Sequence, residues 1–592
     1  MLAGAAPDCT PAQHAQEARR EYQWLKGGVV LALALACAAP LALNLVDPDL
    51  WGHVLYGQEW LDQGSLPRTA THTFTAVGQP WINHENLSEL ALALGYQYVG
   101  INGLLVAKCL WGMGILLLMA WVAQCRGVHP FVTWPLLLVA ATNLQPFFPL
   151  RPQLLSFGLC ALVLAILDRA FSNWHTQHRV RWRLLWLLPL LTVVWVNAHG
   201  GFVAGLCIVG AYLAGRILEL LLRSRPIAWS TVGGLAVVGT ACVAVTFVNP
   251  YGWNLHHWLA VSLSQPRPEI TEWLPPRPDD PTFWPWLGLL SIAAASLLAT
   301  RQRRDWVQIV ILLLVAWQSA LHLRHIAFLA LLCGFWLPLH LQSAMSRLRP
   351  RDAKLPVMRL SPWLRRTAVA LLVGSVCLQS FALGRKLMEL PVERNFYPVD
   401  AIQFMADNRL HGKLVVAFNW AQYAIAALAP EVQVAFDGRY DTCYPVEVVD
   451  MHFDFLLGEF GGNRSRSPQS GPVDGSRVLE YGSPDLVLLD RRYEESVAVM
   501  QAKAAEEDPD WVLLFRDRVA ELWGRADRYD DPRSPDYFPL AVRVQDPSPR
   551  EGAVPWPAFP ERDRDSQLSE LLHKIPATCR VAARGVNDHG DE

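Results

Sequence analysis

The chain has 592 residues, 52% of them hydrophobic and 18% charged, with a formal net charge of −2. This near-neutral balance, with no pooled basic patch, argues against nucleic-acid binding. The apolar excess lies mostly before residue 390, which excludes a single ordinary soluble domain.

Repeated apolar runs of roughly 17 to 23 residues match the ~20 that a helix needs to cross ~30 Å of hydrocarbon. Spans are predicted at 27–45, 101–124, 131–147, 153–170, 183–197, 201–222, 231–249, 283–300, 306–321, 325–343 and 366–384. The first run lacks a small-residue cleavage site before Asn44 and reads as a retained helix. An odd number of spans, about eleven, puts the termini on opposite sides. With the N-terminus inside, about twenty Arg and Lys fall in inner connections, whereas the outer loops hold only Arg68, Arg151, Arg267, Arg277 and Arg324. The positive-inside rule therefore predicts a cytoplasmic N-terminus and an extracytoplasmic C-terminal domain. Lys108, inside the second span, is expected to face the bundle or a wet cavity. Most cysteines fall in apolar runs as inert fillers, while Cys443 and Cys579 lie in the C-terminal domain, where an oxidising compartment would allow a disulfide.

That orientation collects Asp47, Asp49, His84, Glu85, Arg151, His199, Glu272, Arg324 and His325 on the outer side. Carboxylates, imidazoles and guanidinium groups gathered at helix ends suit a catalytic face at the membrane surface, and equally a transporter vestibule. The first outer loop, 46–100, is the longest before the tail, and loops of this length are usually functional or disordered. After Asp49 a short helix is expected along the bilayer interface, anchored by Trp51, Tyr56 and Trp60 and stopped by Gly64 and Pro67.

Asp47, Asp49, Leu50, Trp51 and His53 form a D-x-D-L-W-x-H stretch, and Gly78, Pro80, Trp81, His84 and Glu85 form G-x-P-W-x-x-H-E. Arg151–Pro152–Gln153, Trp195 through Gly201, Asn249–Pro250–Tyr251–Gly252, Arg324–His325 and Phe436–Asp437–Gly438–Arg439 follow in order. In this series the chain resembles the GT-C type membrane glycosyltransferases, the superfamily of protein O-mannosyltransferases and lipid A aminoarabinose transferases, in a bacterial branch. Asn86 departs from the Trp expected after His-Glu. The resemblance implies a polyprenyl-phosphate sugar as donor, membrane lipids around the protein, and a glycan, lipid or protein as acceptor.

Sugar transfer from a lipid phosphate needs a carboxylate to take the acceptor proton and cations to stabilise the departing phosphate. By resemblance Asp49 is the candidate general base, with Asp47 assisting or helping to hold a divalent cation, Mg or Mn; no cofactor is otherwise indicated. Either aspartate could instead cap the helix starting near Leu50. Glu85 is a candidate to orient the acceptor and His84 to donate to phosphate, against a plain capping pair ahead of the next helix. The zinc-peptidase pattern H-E-x-x-H fails at Ser88. Arg151 is a candidate phosphate ligand or interfacial anchor. Arg324 and His325 share an outer helix end with His322. His199, followed by two glycines, is either a close ligand contact or a point of tight packing.

After Leu390 short strands alternate with amphipathic segments, which predicts an α/β domain over 391–530 with a terminal hairpin. The stretch 461–476 reads as a flexible loop and 531–592 as a flexible tail. No G-x-G-x-x-G follows a strand, which disfavours a nucleotide-sugar donor. Asp437–Gly438–Arg439 either recognises an acceptor or turns the chain. The predicted organisation is a cytoplasmic segment 1–26, a GT-C-like transmembrane domain 27–390, the outer α/β domain and the tail. An inverting glycosyltransferase at the outer face of a bacterial inner membrane is expected. The rivals are a flippase for lipid-linked saccharides and a noncatalytic envelope assembly protein.

Overall fold

The computed structural model describes residues 11–561, apart from 178, 224–225, 349–360, 462–463, 465 and 549. The chain divides into two compact units, Met1–Leu45 with His84–Leu390, and Val46–Asn83 with Pro391–Glu592.

The first unit is helical. A helix occupies each predicted apolar segment, among them Pro11–Leu41, Asn86–Cys125, Gln153–Ala170, Phe202–Arg223 and Pro362–Leu387. Among the described residues six helices are long and apolar enough to cross a membrane, or seven when the bent pair Leu323–Trp336 and Pro338–Arg347 counts as one span. The chain is thus a polytopic α-helical membrane protein, and the figure of eleven crossings stays an expectation. Helix Asn86–Cys125 breaks at Gly100, whose φ of 66° is open to glycine, one residue before the predicted start of the span. Exposed Trp121, Leu371 and Phe381 face outward as lipid-facing side chains do. Inside, small residues let bulky ones close in: a Cβ at Gly158 or Gly205 would strike Trp111 or Trp195.

Several buried charges in this unit have partners. Lys108 is buried and its Nζ donates to Leu43 O, so it faces the bundle as expected. At the end predicted to be cytoplasmic, Arg216 is buried and held by Glu219 at 2.8 Å, Tyr212 Oη at 2.7 Å, and Asp305. Asp305 also caps helix Trp306–Leu321 by accepting from the Val307 and Gln308 amides.

The second unit holds a six-stranded mixed sheet. The unit's described strands are β1 (Pro391–Glu393), β2 (Gly412–Val416), β3 (Val432–Val434), β4 (Leu486–Asp490), β5 (Trp511–Arg516), β6 (Ala520–Arg525), β7 (Val544–Gln545) and β8 (Ala553–Pro555), of which β1 and β8 pair apart from the six-stranded sheet. The order β3-β2-β4-β6-β5-β7 has β2 parallel to both β3 and β4, and β5-β6 is the expected antiparallel hairpin. The strand β4 is buried on both faces, as its unbroken run Leu486–Val487–Leu488–Leu489 requires.

Three expectations need revision. Helix Leu50–Gln63 ends at Gly64 as predicted, but Trp51 and Tyr56 are buried within the second unit rather than laid on a bilayer. The Trp51 ring packs against Tyr397, Tyr423 and Trp556, and its Nε1 donates to Pro557 O at 2.8 Å. The polar stretch after 530 is ordered through residue 561, because β8 pairs with β1 and β7 with β5; residues 562–592 lie outside the described residues. In the stretch 461–476, Arg464 and Arg466, joined by Arg477 just beyond it, converge on the buried Asp454 carboxylate of helix Val446–Leu457. Cys443 is a buried free thiol, pushed up to about 12 by burial, and Cys579 lies outside the described residues.

Candidate functional site

In the first unit, the start of helix Asn86–Cys125 is stitched to the 197–201 turn. The Leu87 amide donates to Asn197 O at 3.0 Å and Ser88 Oγ to Ala198 O at 2.5 Å. Glu85 sits at the N-cap of this helix, yet its side chain makes no capping hydrogen bond. Its Oε1 lies 3.5 Å from His199 Nε2 and 3.9 Å from His84 Nε2. The His84 ring packs on Trp258, with centroids 4.8 Å apart, and over Gly200, where a Cβ would come within 3.2 Å of it.

A second cluster forms around residues 267–273. Arg151 Nη1 donates to Glu272 Oε1 at 2.9 Å. The guanidinium groups of Arg324 and Arg267 lie 4.8 and 5.2 Å from the Trp273 ring centroid, within cation–π range. His322 Nδ1 lies 2.7 Å from Trp273 O, and the Leu323 amide donates to Leu274 O at 2.9 Å. His325 stacks edge-on against His322 with a buried Nδ1 that has no partner among the described residues. No third His, Cys, Asp or Glu joins His322 and His325 in a metal-type cluster among the described residues.

The second unit carries the two aspartates. Asp47 Oδ1 accepts the Asp49 amide at 3.0 Å and Asp47 O accepts that of Leu50 at 3.1 Å, so buried Asp47 shapes the turn that launches helix Leu50–Gln63. Asp49 occupies the N-cap without a capping side-chain hydrogen bond. Its Oδ1 sits instead against Gly438, where any Cβ would collide with it. Asp47 thus shapes the turn before the helix without its side chain capping the first-turn amides.

Around Gly438 the Asp437–Arg439 pair is buried and satisfied. Asp437 Oδ1 accepts the Arg439 amide at 3.0 Å and its Nε at 2.9 Å, and Oδ2 accepts Arg439 Nη2 at 2.7 Å and Tyr444 Oη at 2.6 Å. The guanidinium lies 5.0 Å from the ring centroids of both Tyr56 and Trp81, and Nη2 also donates to Thr71 O at 2.6 Å. Burial alone would raise the Asp437 carboxyl, but the Arg439 charge and hydrogen bonds hold it below the usual carboxylate range. With its donors spent on Asp437 and Thr71, Arg439 fixes a turn instead of offering a ligand contact.

Sequence reasoning named His84, Glu85, Arg151, His199, Arg324 and His325, and the first unit brings the first, second and fourth of these together. Ser156 and Trp273, which lie in or beside apolar runs, carry no local signal, and Trp195 stood out only as the first residue of the motif that ends at Gly201.

No family model matches the sequence, and no curated protein matches it. Among solved structures the chain is similar to ArnT from Cupriavidus metallidurans in the apo state, with 14% identity over 85% of this chain and 98% of that one and a TM-score of 0.49. The same protein bound to undecaprenyl phosphate gives a TM-score of 0.46 at the same identity and coverage. The Archaeoglobus fulgidus oligosaccharyltransferase shares 11% identity over 78% of this chain and 69% of that one, with a TM-score of 0.44. The mycobacterial arabinofuranosyltransferase AftD shares 15% over 87% of this chain and 42% of that one, also at 0.44.

Proposed function

We propose that this chain is a GT-C type membrane glycosyltransferase. It moves one sugar, with inversion, from a polyprenyl-phosphate carrier to a glycan, lipid or protein acceptor at the outer face of a bacterial inner membrane. The observation that carries this reading is the convergence of Arg151, Arg267 and Arg324 on the segment holding Glu272 and Trp273. Three guanidinium groups gathered at that segment, each a planar fork of N–H donors, suit the oxygens of a phosphate. The aromatic face of Trp273 keeps two of those cations in place.

In the reaction, the acceptor hydroxyl attacks the anomeric carbon, the bond to the phosphate oxygen breaks, and the acceptor proton passes to a carboxylate. Asp49 is assigned as that base by its place in the D-x-D-L-W-x-H stretch, a carboxylate being the group the acceptor proton needs. The arginines bind the phosphate that leaves, where charge grows as the bond breaks. Glu85, with His84, is assigned to orient the acceptor. No step is routed through a divalent cation: Asp47 Oδ1 is engaged by the Asp49 amide, and Asp47 and Asp49 belong to no cluster of three metal-type ligands among the described residues.

The test is release of polyprenyl phosphate from a panel of polyprenyl-phosphate sugars by the purified protein, with and without chelator, and with the anomeric configuration of the product read by NMR. Turnover with inversion, lowered at least about 100-fold in Asp49→Asn and weakened in Arg324→Gln through a raised KM for donor, is the expected result. Translocation of the donor without cleavage would overturn the reading in favour of a flippase.

A further inference from the structure

We infer that His199 is a positioning residue, locked in its Nε2–H tautomer by Gly201, Ser156 and Trp195, and that it holds the Glu85 carboxylate. The importance of Glu85 rests on the proposed transferase reading, whereas the tautomer stands on geometry alone.

A neutral imidazole has one N–H and one lone pair, and its neighbours decide which nitrogen has which. The Gly201 backbone amide can only donate, and it points at His199 Nδ1 from 2.9 Å. Nδ1 must therefore present its lone pair. Ser156 Oγ lies 2.9 Å from the same nitrogen. That hydroxyl accepts the Trp195 indole N–H at 2.7 Å, which leaves its own proton free to donate to the Nδ1 lone pair that the Gly201 amide requires. A proton on Nδ1 would face the Gly201 N–H, which can only donate, in a buried place lined by Ser156 and Trp195, 1% and 2% exposed. The remaining nitrogen, Nε2, carries the hydrogen and faces Glu85 Oε1.

The two glycines after His199 supply the space. A Cβ at Gly201 would stand 2.6 Å from Ser156 Oγ and 2.8 Å from His199 Nδ1, closing the relay. At Gly200 a Cβ would crowd the His84 ring at 3.2 Å. The run His199–Gly200–Gly201 thus encodes room for two imidazoles that flank one carboxylate.

This arrangement narrows what His199 does. With Nε2 already protonated it cannot accept the acceptor's proton there, and it would have to surrender that proton to ligate a metal. What it offers is a fixed N–H that sets the orientation of Glu85, a role like that of the outer-shell partners that orient metal ligands.

Two measurements on the full-length protein in lipid nanodiscs test this. The first is the 15N spectrum of histidine-labelled protein at neutral pH, with the His199 signals assigned by their loss in His199→Gln. A protonated Nε2 and an unprotonated Nδ1 are expected; a proton on Nδ1, or exchange between tautomers in comparable amounts, overturns the lock whether or not a donor has been found. The second is donor turnover. His199→Leu should lower kcat by about 10- to 100-fold, with the KM for donor within about twofold, and His199→Gln, whose amide keeps both an acceptor and a donor, should recover most of it. If Glu85→Gln turns over at the parental rate, the proposed role of Glu85 falls and the positioning role with it. If Glu85→Gln is inactive while His199→Leu keeps the parental kcat, Glu85 stands and the positioning role alone is overturned.

Discussion

Asp49 Oδ1 lies against Gly438, in the space that a Cβ on that residue would fill. A methyl group there must push the carboxylate away or move the Asp437–Arg439 turn, and the turn is held by hydrogen bonds to both oxygens of Asp437. The side chain of Asp49 is the softer partner. Gly438→Ala should therefore displace the proposed base while leaving the fold intact, lowering kcat by about 100-fold, the size expected for a shift near 1 Å. Asp49→Asn should cost about 100- to 10,000-fold, the range of general-base catalysis. Donor turnover together with thermal unfolding checks both, and a Gly438→Ala protein with parental kcat would detach the turn from the chemistry.

Arg439 makes a different claim, on stability. It is buried, paired twice with Asp437 and flanked by Tyr56 and Trp81. Arg439→Ala strands a buried carboxylate, a loss of about 3–5 kcal/mol. Arg439→Lys should recover little, because an ammonium cannot reproduce the planar fork. Tryptophan fluorescence through a denaturant titration measures the loss, and limited proteolysis should open the 64–83 stretch, whose Thr71 carbonyl also binds Arg439.

How far these features could be read in the sequence depended on whether they are local. Apolar runs placed the helices, and the β-α-β alternation placed the sheet, because hydropathy and strand periodicity are written residue by residue. The apolar face of helix Leu50–Gln63 was legible, but it was assigned to the bilayer interface; what covers Trp51 is Tyr423 and Trp556, and an apolar face does not name its partner. Gly438 looked like an ordinary turn glycine, since its reason, the carboxylate of Asp49, lies almost 390 residues away in the chain. Ser156 was invisible inside an apolar helix, and Trp195, though part of a named motif, gave no sign of its hydrogen bond to that serine. Only the doubled glycine after His199 hinted at a close approach, and the two alternatives weighed for it, ligand contact and packing, did not include a side-chain relay.

At the other end of the helical unit, Arg216 binds Glu219 and Asp305 in a buried network that the proposed chemistry does not use. Arg216→Met should lower stability by about 3–5 kcal/mol by leaving two acids uncompensated. Replacing Asp305 with Asn in the same protein should restore part of that loss, so that the double variant is more stable than the two single effects added together. Thermal unfolding in detergent of the four proteins of this cycle supplies the coupling energy, and strict additivity would show that the network is not a unit.

His452 gives the second unit a pH dependence with a defined sign. The imidazole is buried among Phe436 and Phe453, and neither ring nitrogen has a hydrogen-bond partner among the described residues. Burial, with the nearby Arg464 charge, pushes it down to about 3. An unfolded imidazole titrates near 6.5, so between about 6.5 and 3 the unfolded chain holds a proton that the folded one refuses. Stability is complete above that window and falls by about 1.4 kcal/mol per pH unit as the pH drops through it. Asp437 has the opposite placement: its folded value lies below 3.8, so its contribution is full above the carboxylate range and is lost only as the pH falls through that range toward the folded value. His452→Leu should therefore flatten the decline between about pH 6 and 4.5 and leave the steeper acid limb in place. It should also stabilise the unit by about 1 kcal/mol at neutral pH, because two unsatisfied nitrogens leave the core. Urea unfolding of parent and variant at a series of pH values checks both statements, and parallel curves would remove His452 as the source of the slope.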